Sequence, residues 1–462
     1  IIDEASMGLV PAVYFAASQS QQRCIVSGDF RQLKPIAQTK NKTIFENIGR
    51  DIFEISGFED TFVNRQDCDY ADVLRDQYRM DHKICNLISE IGYEGQLMTA
   101  VDRQKASVPE VDLFNDSVTI IDTSPLYPFC DRDPSNSTSN VVHALAARNV
   151  FRTFHNQAND FTIGYCAPFR AQTKLVNKII ESENLSPRPA AGTVHTFQGD
   201  EKTIMVFDTV DSLGERPMLH IPLAQEAAAK SEIITVGVSR AAEKVIFIAN
   251  LRYLDDKIPA QGYLRKILFK AQETGTIVDV RDVIDLAPLR DEIDELNFDY
   301  QDLNLTDDDL KSGLVNEDAF YPLVRRDIER AKKHICIFSG FYTAQRVAEF
   351  LGVLKKHLEN DVKVKVVIPP PQNNGSMSAV DSFALIEKLM SRGVVVDLRG
   401  RLHQKAVLID DDIAWFGSLN PLSFAGSTEE SMIRINQSGV TGVFAANLSV
   451  KRGGNQEDSS MM

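Results

Sequence analysis

The sequence predicts an α/β fold in more than one unit, and two observations carry that reading. Between residues 67 and 255, short apolar runs (Val118–Ile121, Phe161–Tyr165, Thr203–Phe207, Val245–Ile248) alternate with stretches of helical spacing. After an acid-rich segment the alternation resumes between residues 319 and 440. Such a pattern predicts parallel strands covered by helices on both faces, with a site at the strands' carboxyl ends.

The elements follow in order. The chain opens on Ile1-Ile2-Asp3-Glu4, a buried strand that delivers two carboxylates, and Cys24–Val26 is a second short strand running into the turn at Gly28-Asp29. Residues 1–66 read as the rear part of one α/β domain. A carboxylate pair of this kind works with a Gly-rich phosphate loop, and none is present, so the chain reads as the C-terminal part of a longer protein. Residues 67–255 form the next domain, with Asp131–Asn140 as a polar surface loop. Residues 256–318 read as a helical and acidic linker. The last domain, 319–440, alternates a helix around Tyr321–Lys333, a strand Ile335–Phe338, a helix Ala344–Leu358, a strand Val362–Ile368, a helix Ala384–Ser391 and a strand Val394–Asp397. Residues 441–462 form a partly disordered tail, poor in apolar residues after Gly453.

Composition narrows the class. With 462 residues, 43% hydrophobic and 25% charged, the chain can bury several cores and is not of the disordered type. Six scattered cysteines, none in a Cys-x-x-Cys pair, point to free thiols in a reducing compartment, the cytoplasm by default. No apolar run is long enough to cross a bilayer. The net charge of −15 argues against a uniformly basic nucleic-acid coat but not against a local basic groove. Acid concentrates from Asp291 to Asp318, which suits a solvated linker or an acidic mimic covering a nucleic-acid site.

Five blocks carry the first chemistry: Ile1-Ile2-Asp3-Glu4, Gly28-Asp29-Phe30-Arg31-Gln32, Gln77-Tyr78-Arg79-Met80, Thr196-Phe197-Gln198-Gly199-Asp200-Glu201-Lys202 and Gly237-Val238-Ser239-Arg240-Ala241. Singly each has an ordinary reading: Arg79 or Arg240 as a surface ion-pair partner, His195 as a turn histidine. In this order they resemble motifs II to VI of superfamily 1 helicases, specifically the up-frameshift and senataxin-like branch. The resemblance covers residues 1 to about 255 and implies RecA-like domains that bind ATP and Mg²⁺. It implies that Asp3 assists the Mg²⁺, Glu4 activates water, and Gln32 senses the γ-phosphate. Arg79 and Arg240 would neutralise charge in the transition state, and Gly199 and Glu201 would line the nucleotide side. His195, Thr196, Pro168, Phe169, Arg170 and Gln172 would face a nucleic-acid strand. Two departures touch fine positioning: Ala242 replaces a further basic residue, and Asp81 follows Met80 where a His-Pro pair is common.

The second chemistry lies in His403-Gln404-Lys405, Asp410 and Gly417-Ser418-Leu419-Asn420. A neutral imidazole attacks a phosphodiester competently when a cation and an amide stabilise the transition state. Alternation along one strand would put His403 and Lys405 on the same face. The spacing resembles the signature of the phospholipase D superfamily over roughly residues 319–440, and that resemblance implies a catalytic set of His403, Lys405, Asn420, Ser418, Asp410 and Glu430 with no metal or other cofactor. Glu430 matches a carboxylate that orients a histidine, and Asp410 fits better as an organiser of the strand turn. Such sites use two histidines and one motif is present, so a homodimer, or else a second copy of the motif in a preceding part of the protein, would complete the site.

Together these readings imply RecA-like helicase domains followed by a phospholipase D-like α/β domain. The expected protein is an ATP-dependent helicase or translocase fused to a nuclease acting on single-stranded DNA or RNA, without a membrane partner. The domain pairing resembles Mokosh-type phage-defence fusions. Two alternatives remain: a nucleic-acid-binding sensor with an inert motor, and a lipid phosphodiester transferase.

Overall fold

The computed structural model describes residues 1–35, 41–126, 128, 130–132, 137–155, 157, 161–197, 199–212, 231–284, 313–360, 362–371, 378–400, 402–423 and 430–451. The acidic segment up to residue 312, Gln198 and the tail beyond residue 451 lie outside the described residues. The chain divides into two compact units, one of residues 1–122, 147–211 and 215–278, the other of 123–146, 212–214 and 279–462.

The first unit is an α/β sheet. A two-stranded parallel pair, β1 (Asp76–Gln77) and β2 (Met98–Thr99), stands apart from the six-stranded sheet. That sheet contains β3 (Val118–Asp122), β6 (Ile163–Ala167), β7 (Ala190–Thr193), β8 (Lys202–Asp208), β9 (Ala241–Ala249) and β10 (Thr276–Asp279) in the order β10-β3-β9-β8-β6-β7. Strands β3, β9, β8, β6 and β7 are parallel to one another. Their near-continuous apolar sequence reflects burial on both faces: Ile120, Met205, Phe207, Val245 and Phe247 share a core with Ile84 and Leu87 of the helix His82–Gly92.

The expected linker is in part a structural layer. The helix Tyr263–Thr274 contributes Leu264, Ile267, Leu268 and Ala271 to that same core, at i, i+3, i+4 and i+7 spacing, and β10 joins the sheet. Residues 1–66 and 67–122 also fall in one unit rather than separating at residue 66.

The second unit holds a mixed seven-stranded sheet of β11 (Leu314–Asn316), β12 (His334–Phe338), β13 (Lys363–Ile368), β14 (Val395–Leu398), β15 (Ala406–Ile409), β16 (Ile413–Gly417) and β17 (Ser431–Asn436), ordered β11-β17-β16-β15-β12-β13-β14. Strands β12, β13 and β14 are parallel, while β15, β16 and β17 are antiparallel. Helices Glu317–Arg330, Ala344–Leu358 and Ala379–Ser391 pack on one face through Phe320, Leu323, Val347, Leu354, Leu385 and Leu389. The expected tail begins with a helix, Val440–Lys451, whose Val440, Val443 and Phe444 are buried. Part of the expected polar loop lies in strands: β4 (Cys130–Arg132) pairs antiparallel with β5 (Thr138–Asn140), and Thr138, Ser139 and Asn140 are buried.

One polar group lies at the centre of this core. Asp327 is 1% exposed and sits among the apolar residues of its helix. Its Oδ2 accepts from Trp415 Nε1 at 2.8 Å and from Arg434 Nε at 2.7 Å. Arg326 Nη2 donates to its Oδ1 at 2.8 Å. Breaking such a buried pair strands the partner charges and costs about 3–5 kcal/mol. Asp327→Ala is expected to lower the unfolding free energy of this unit by that amount. Trp415 is the sole tryptophan of the sequence, so its fluorescence during urea unfolding reads the second unit alone. A midpoint shift worth less than about 1 kcal/mol would show the network to be dispensable.

Candidate functional site

The first cluster is assembled at the start of the chain. Ile2 bridges Val26 in parallel, with Ile2 N donating to Ile25 O and Ser27 N to Ile2 O, both at 2.8 Å. The two segments therefore end side by side, Asp3-Glu4 next to Gly28-Asp29. Asp3 Oδ1 accepts from Ser27 Oγ at 2.9 Å and from Glu4 N at 3.0 Å. Glu4 has φ +52° and ψ +36°, a left-handed conformation for a residue with a Cβ. Strain of this kind is held where the surroundings dictate a side-chain direction.

Asp29, which the sequence reading left without a role, is the hub of this cluster. It accepts from Gln32 Nε2 at 2.9 Å and from the Tyr93 hydroxyl at 2.6 Å. Burial, followed by the Asp29 charge, pushes the Tyr93 hydroxyl well above its ordinary pKa. Gln32 is thereby oriented to accept from Arg240 Nη2 at 2.5 Å. Arg240 is 2% exposed, and its Nε has no hydrogen-bond partner among the described residues. Burial, then the charge of Arg79, lowers its pKa, and Glu4 acts in the opposite direction. Arg79 Nε pairs with Glu201 Oε2 at 2.8 Å. Gly199, at φ +75°, precedes this segment in the left-handed region. The structure thus gathers Gln32, Arg79, Glu201 and Arg240, with Asp3 and Glu4 on the adjoining strand end.

Arg103 and Glu243 belong to none of the sequence blocks but meet beside the two candidate arginines. Arg103 donates to the Arg79 carbonyl through Nε at 2.9 Å and Nη2 at 2.7 Å, to the Ala242 carbonyl at 2.8 Å and to Glu243 Oε1 at 2.8 Å. Ala106 N adds a bond to Glu243 Oε1 at 2.6 Å. The clamp ties the backbone beside one candidate arginine to the backbone beside the other. Both departures noted in the sequence are accommodated: Ala242 serves through its carbonyl, which also accepts from Asp81 N at 2.7 Å, and the Asp81 side chain caps the next helix at Lys83 N.

The residues expected at a strand divide. Pro168, Phe169 and Arg170 follow the carboxyl end of β6, and exposed His195 and Thr196 follow the carboxyl end of its parallel neighbour β7. Gln172 does not belong with them. It is fully buried, and its Nε2 donates to Asp208 Oδ2 at 2.9 Å, where the Tyr165 hydroxyl also donates. It anchors the helix Arg170–Ser182 rather than facing a ligand. The carboxyl-end rule holds only for this group. Glu201 and Arg240 directly precede β8 and β9, where Lys202 and Ala241 are in register, so the arginine cluster occupies the amino ends of the same sheet.

The second cluster follows from strand direction. Because β15 is antiparallel to β12, with Ala406 opposite Phe338, residues 403–405 lie beside Ser339–Phe341. Gly417 N donates to Lys405 O at 3.3 Å, which brings Ser418–Asn420 to the same end. Asn420 Oδ1 accepts from Gly340 N at 2.9 Å and Phe341 N at 3.3 Å. Ser418 Oγ accepts from Ser431 N at 3.0 Å, next to Glu430. A Cβ at Gly417 would stand 2.1 Å from Ser431 O, so only glycine permits this approach. His403 is exposed, and Lys405 Nζ donates to the His403 carbonyl at 3.3 Å. The two precede β15 rather than lying within it, which corrects the expected alternation on one strand. Burial raises the pKa values of Glu317 and Tyr321, the Arg346 charge opposes both shifts, and the Glu430 carboxylate makes the smallest of the raising contributions.

Asp410 is at the opposite end of β15. At φ +50°, its carboxylate accepts from the amides of Lys332 at 2.9 Å, Lys333 at 2.7 Å and His334 at 3.0 Å. These bonds outweigh burial and hold its pKa below the usual range. Asp410 therefore closes a turn, which removes it from the expected catalytic set. Among the described residues, no group of three or more His, Cys, Asp or Glu side chains could hold a metal ion, and no helix is long and apolar enough to cross a membrane.

Residues 53–252 match a family model described as an AAA domain, and residues 324–449 match one described as a cardiolipin synthase, PLD-like domain. The chain is 24% identical over 275 residues to the DNA polymerase alpha-associated DNA helicase A of Saccharomyces cerevisiae, covering 55% of this chain and 38% of that protein. It is 24% identical over 308 residues to the DNA replication ATP-dependent helicase/nuclease DNA2 of Bos taurus, covering 61% of this chain and 27% of that one. The chain thus spans well under half the length of these relatives. Among solved structures, the phospholipase D family member Nuc of Salmonella typhimurium aligns at 21% identity, covering 30% of this chain and 91% of that one, with a TM-score of 0.25. The chain carries a helicase-like AAA domain followed by a phospholipase D-like domain.

Proposed function

We propose that the chain belongs to an ATP-driven superfamily 1 nucleic-acid motor fused to a phospholipase D-type nuclease, active in the cytoplasm on single-stranded DNA or RNA, in the manner of a phage-defence fusion. The observation that carries the reading is the presence, in one chain, of two compact units with separate convergent sites. One joins Gln32 to Arg240; the other sets His403, Lys405 and Asn420 around one end of β15. In the motor, the Asp3 carboxylate beside the Ser27 hydroxyl offers hard oxygens that suit Mg²⁺, which would screen phosphate charge. Glu4 accepts a proton from water, Gln32 reads the γ-phosphate, and Arg79 and Arg240 stabilise transition-state charge. Arg170, His195 and Thr196 grip the strand.

In the nuclease, the His403 imidazole attacks phosphorus while the P–O bond to the leaving oxygen breaks. Lys405 and Asn420 stabilise the equatorial oxygens, and His403 of a second copy protonates the leaving oxygen. Incubation of the purified chain with a single-stranded oligonucleotide in EDTA tests this chemistry: cleavage is expected to persist, and its loss on chelation overturns the histidine mechanism. The description of the second family model favours one other reading, phosphodiester transfer on lipid. Turnover of phosphatidylglycerol vesicles without strand cleavage would select it.

A further inference from the structure

Phe341 stands out in the second unit because its backbone is pinned while its side chain is left half exposed. Its amide donates to Asn420 Oδ1 at 3.3 Å, and its carbonyl accepts from Ser339 Oγ at 2.6 Å. Ser339 Oγ is itself held, accepting from Leu422 N at 3.1 Å. The next residue, Tyr342, turns inward, buried, with its hydroxyl on Ser382. Yet Phe341 is 53% exposed. The turn also lies directly on the segment carrying the candidate nucleophile: a Cβ added at Gly340 would stand 2.9 Å from the carbonyl of Leu402, the residue before His403.

An aromatic side chain on a pinned backbone has only two side-chain torsions left to fix, so little entropy is lost when it is used. A phosphodiester strand reaching His403 brings bases that flank the scissile phosphate. An unpaired base offers a face that an aromatic ring can stack against whatever its identity, whereas a base within a duplex is already stacked. We propose that Phe341 is a stacking platform for a nucleobase beside the scissile phosphate, which makes the substrate of this site a single strand with accessible bases. The proposal rests on the nuclease reading above.

The test compares binding of a fluorescein-labelled oligothymidylate with that of a strand of equal length lacking bases, by anisotropy on the full chain. The wild-type protein is expected to prefer the base-bearing strand by about tenfold, within the range measured for one stacked base. Phe341→Ala collapses that preference towards unity, and Phe341→Trp restores it. The proposal is overturned if the preference survives in Phe341→Ala. It is equally overturned if both strands weaken together, which marks a structural role, or if light scattering shows that the variant has lost a dimer contact. The nuclease reading fails by a different result: no hydrolysis of the base-free diester bis(p-nitrophenyl) phosphate that disappears in His403→Ala. The strand preference reports stacking in either case.

Discussion

His403→Ala is expected to abolish strand cleavage, lowering the rate by about three orders of magnitude or more, as removal of a nucleophile does. The exposed imidazole sits where residues 339–341, 403–405 and 417–420 converge, and no other histidine occupies those three segments. Because one copy supplies one histidine, a shared site makes a further demand. An equal mixture of wild-type and His403→Ala chains, allowed to exchange, should retain about one quarter of the activity, the share of dimers with two intact histidines. A value near one half means that each chain acts alone, and the two-copy site is then wrong.

Arg240→Ala is the second large effect. In a chain that includes a phosphate-binding loop, ATP turnover is expected to fall by about 10³–10⁵, while nucleotide affinity changes far less, because such an arginine acts on charge that develops in the transition state. The geometry already favours this use. The guanidinium is buried, bonded to Gln32 and, by its lowered pKa, costly to hold charged without an anion near it. Steady-state kinetics beside a nucleotide titration decide the matter. Affinity lost with turnover retained would make Arg240 a ground-state binder.

Much of the fold was legible because it rests on local pattern. The buried runs of β3, β8 and β9 and the helix Ala344–Leu358 lie within a few residues of their expected places, since apolar period alone defines them. What failed depended on partners far away in sequence. Gln172 belonged to a motif-like block, but its amide is consumed by Asp208, 36 residues on. Thr138–Asn140 looked like surface by composition, yet are buried in a ribbon. Asp327 would pass for a helix-surface acid until Arg434, 107 residues distant, is folded against it. In the candidate sites, motif order singled out Gln32, Arg79 and Arg240, which lie together in the structure, but nothing in the sequence announced the Arg103–Glu243 clamp, whose acceptors are mostly backbone carbonyls and carry no residue identity.

The two clusters of the first unit sit at opposite ends of the same strands. Strand β8 begins beside Glu201 and ends at Asp208, which holds Gln172 and through it the helix that starts at Arg170. Its seven residues span about 20 Å. A packed sheet does not deform gradually under load. In the motor proposed above it would work as a stiff connecting rod, carrying the nucleotide end and the strand end on one chassis, so that a stroke delivered at one moves the other.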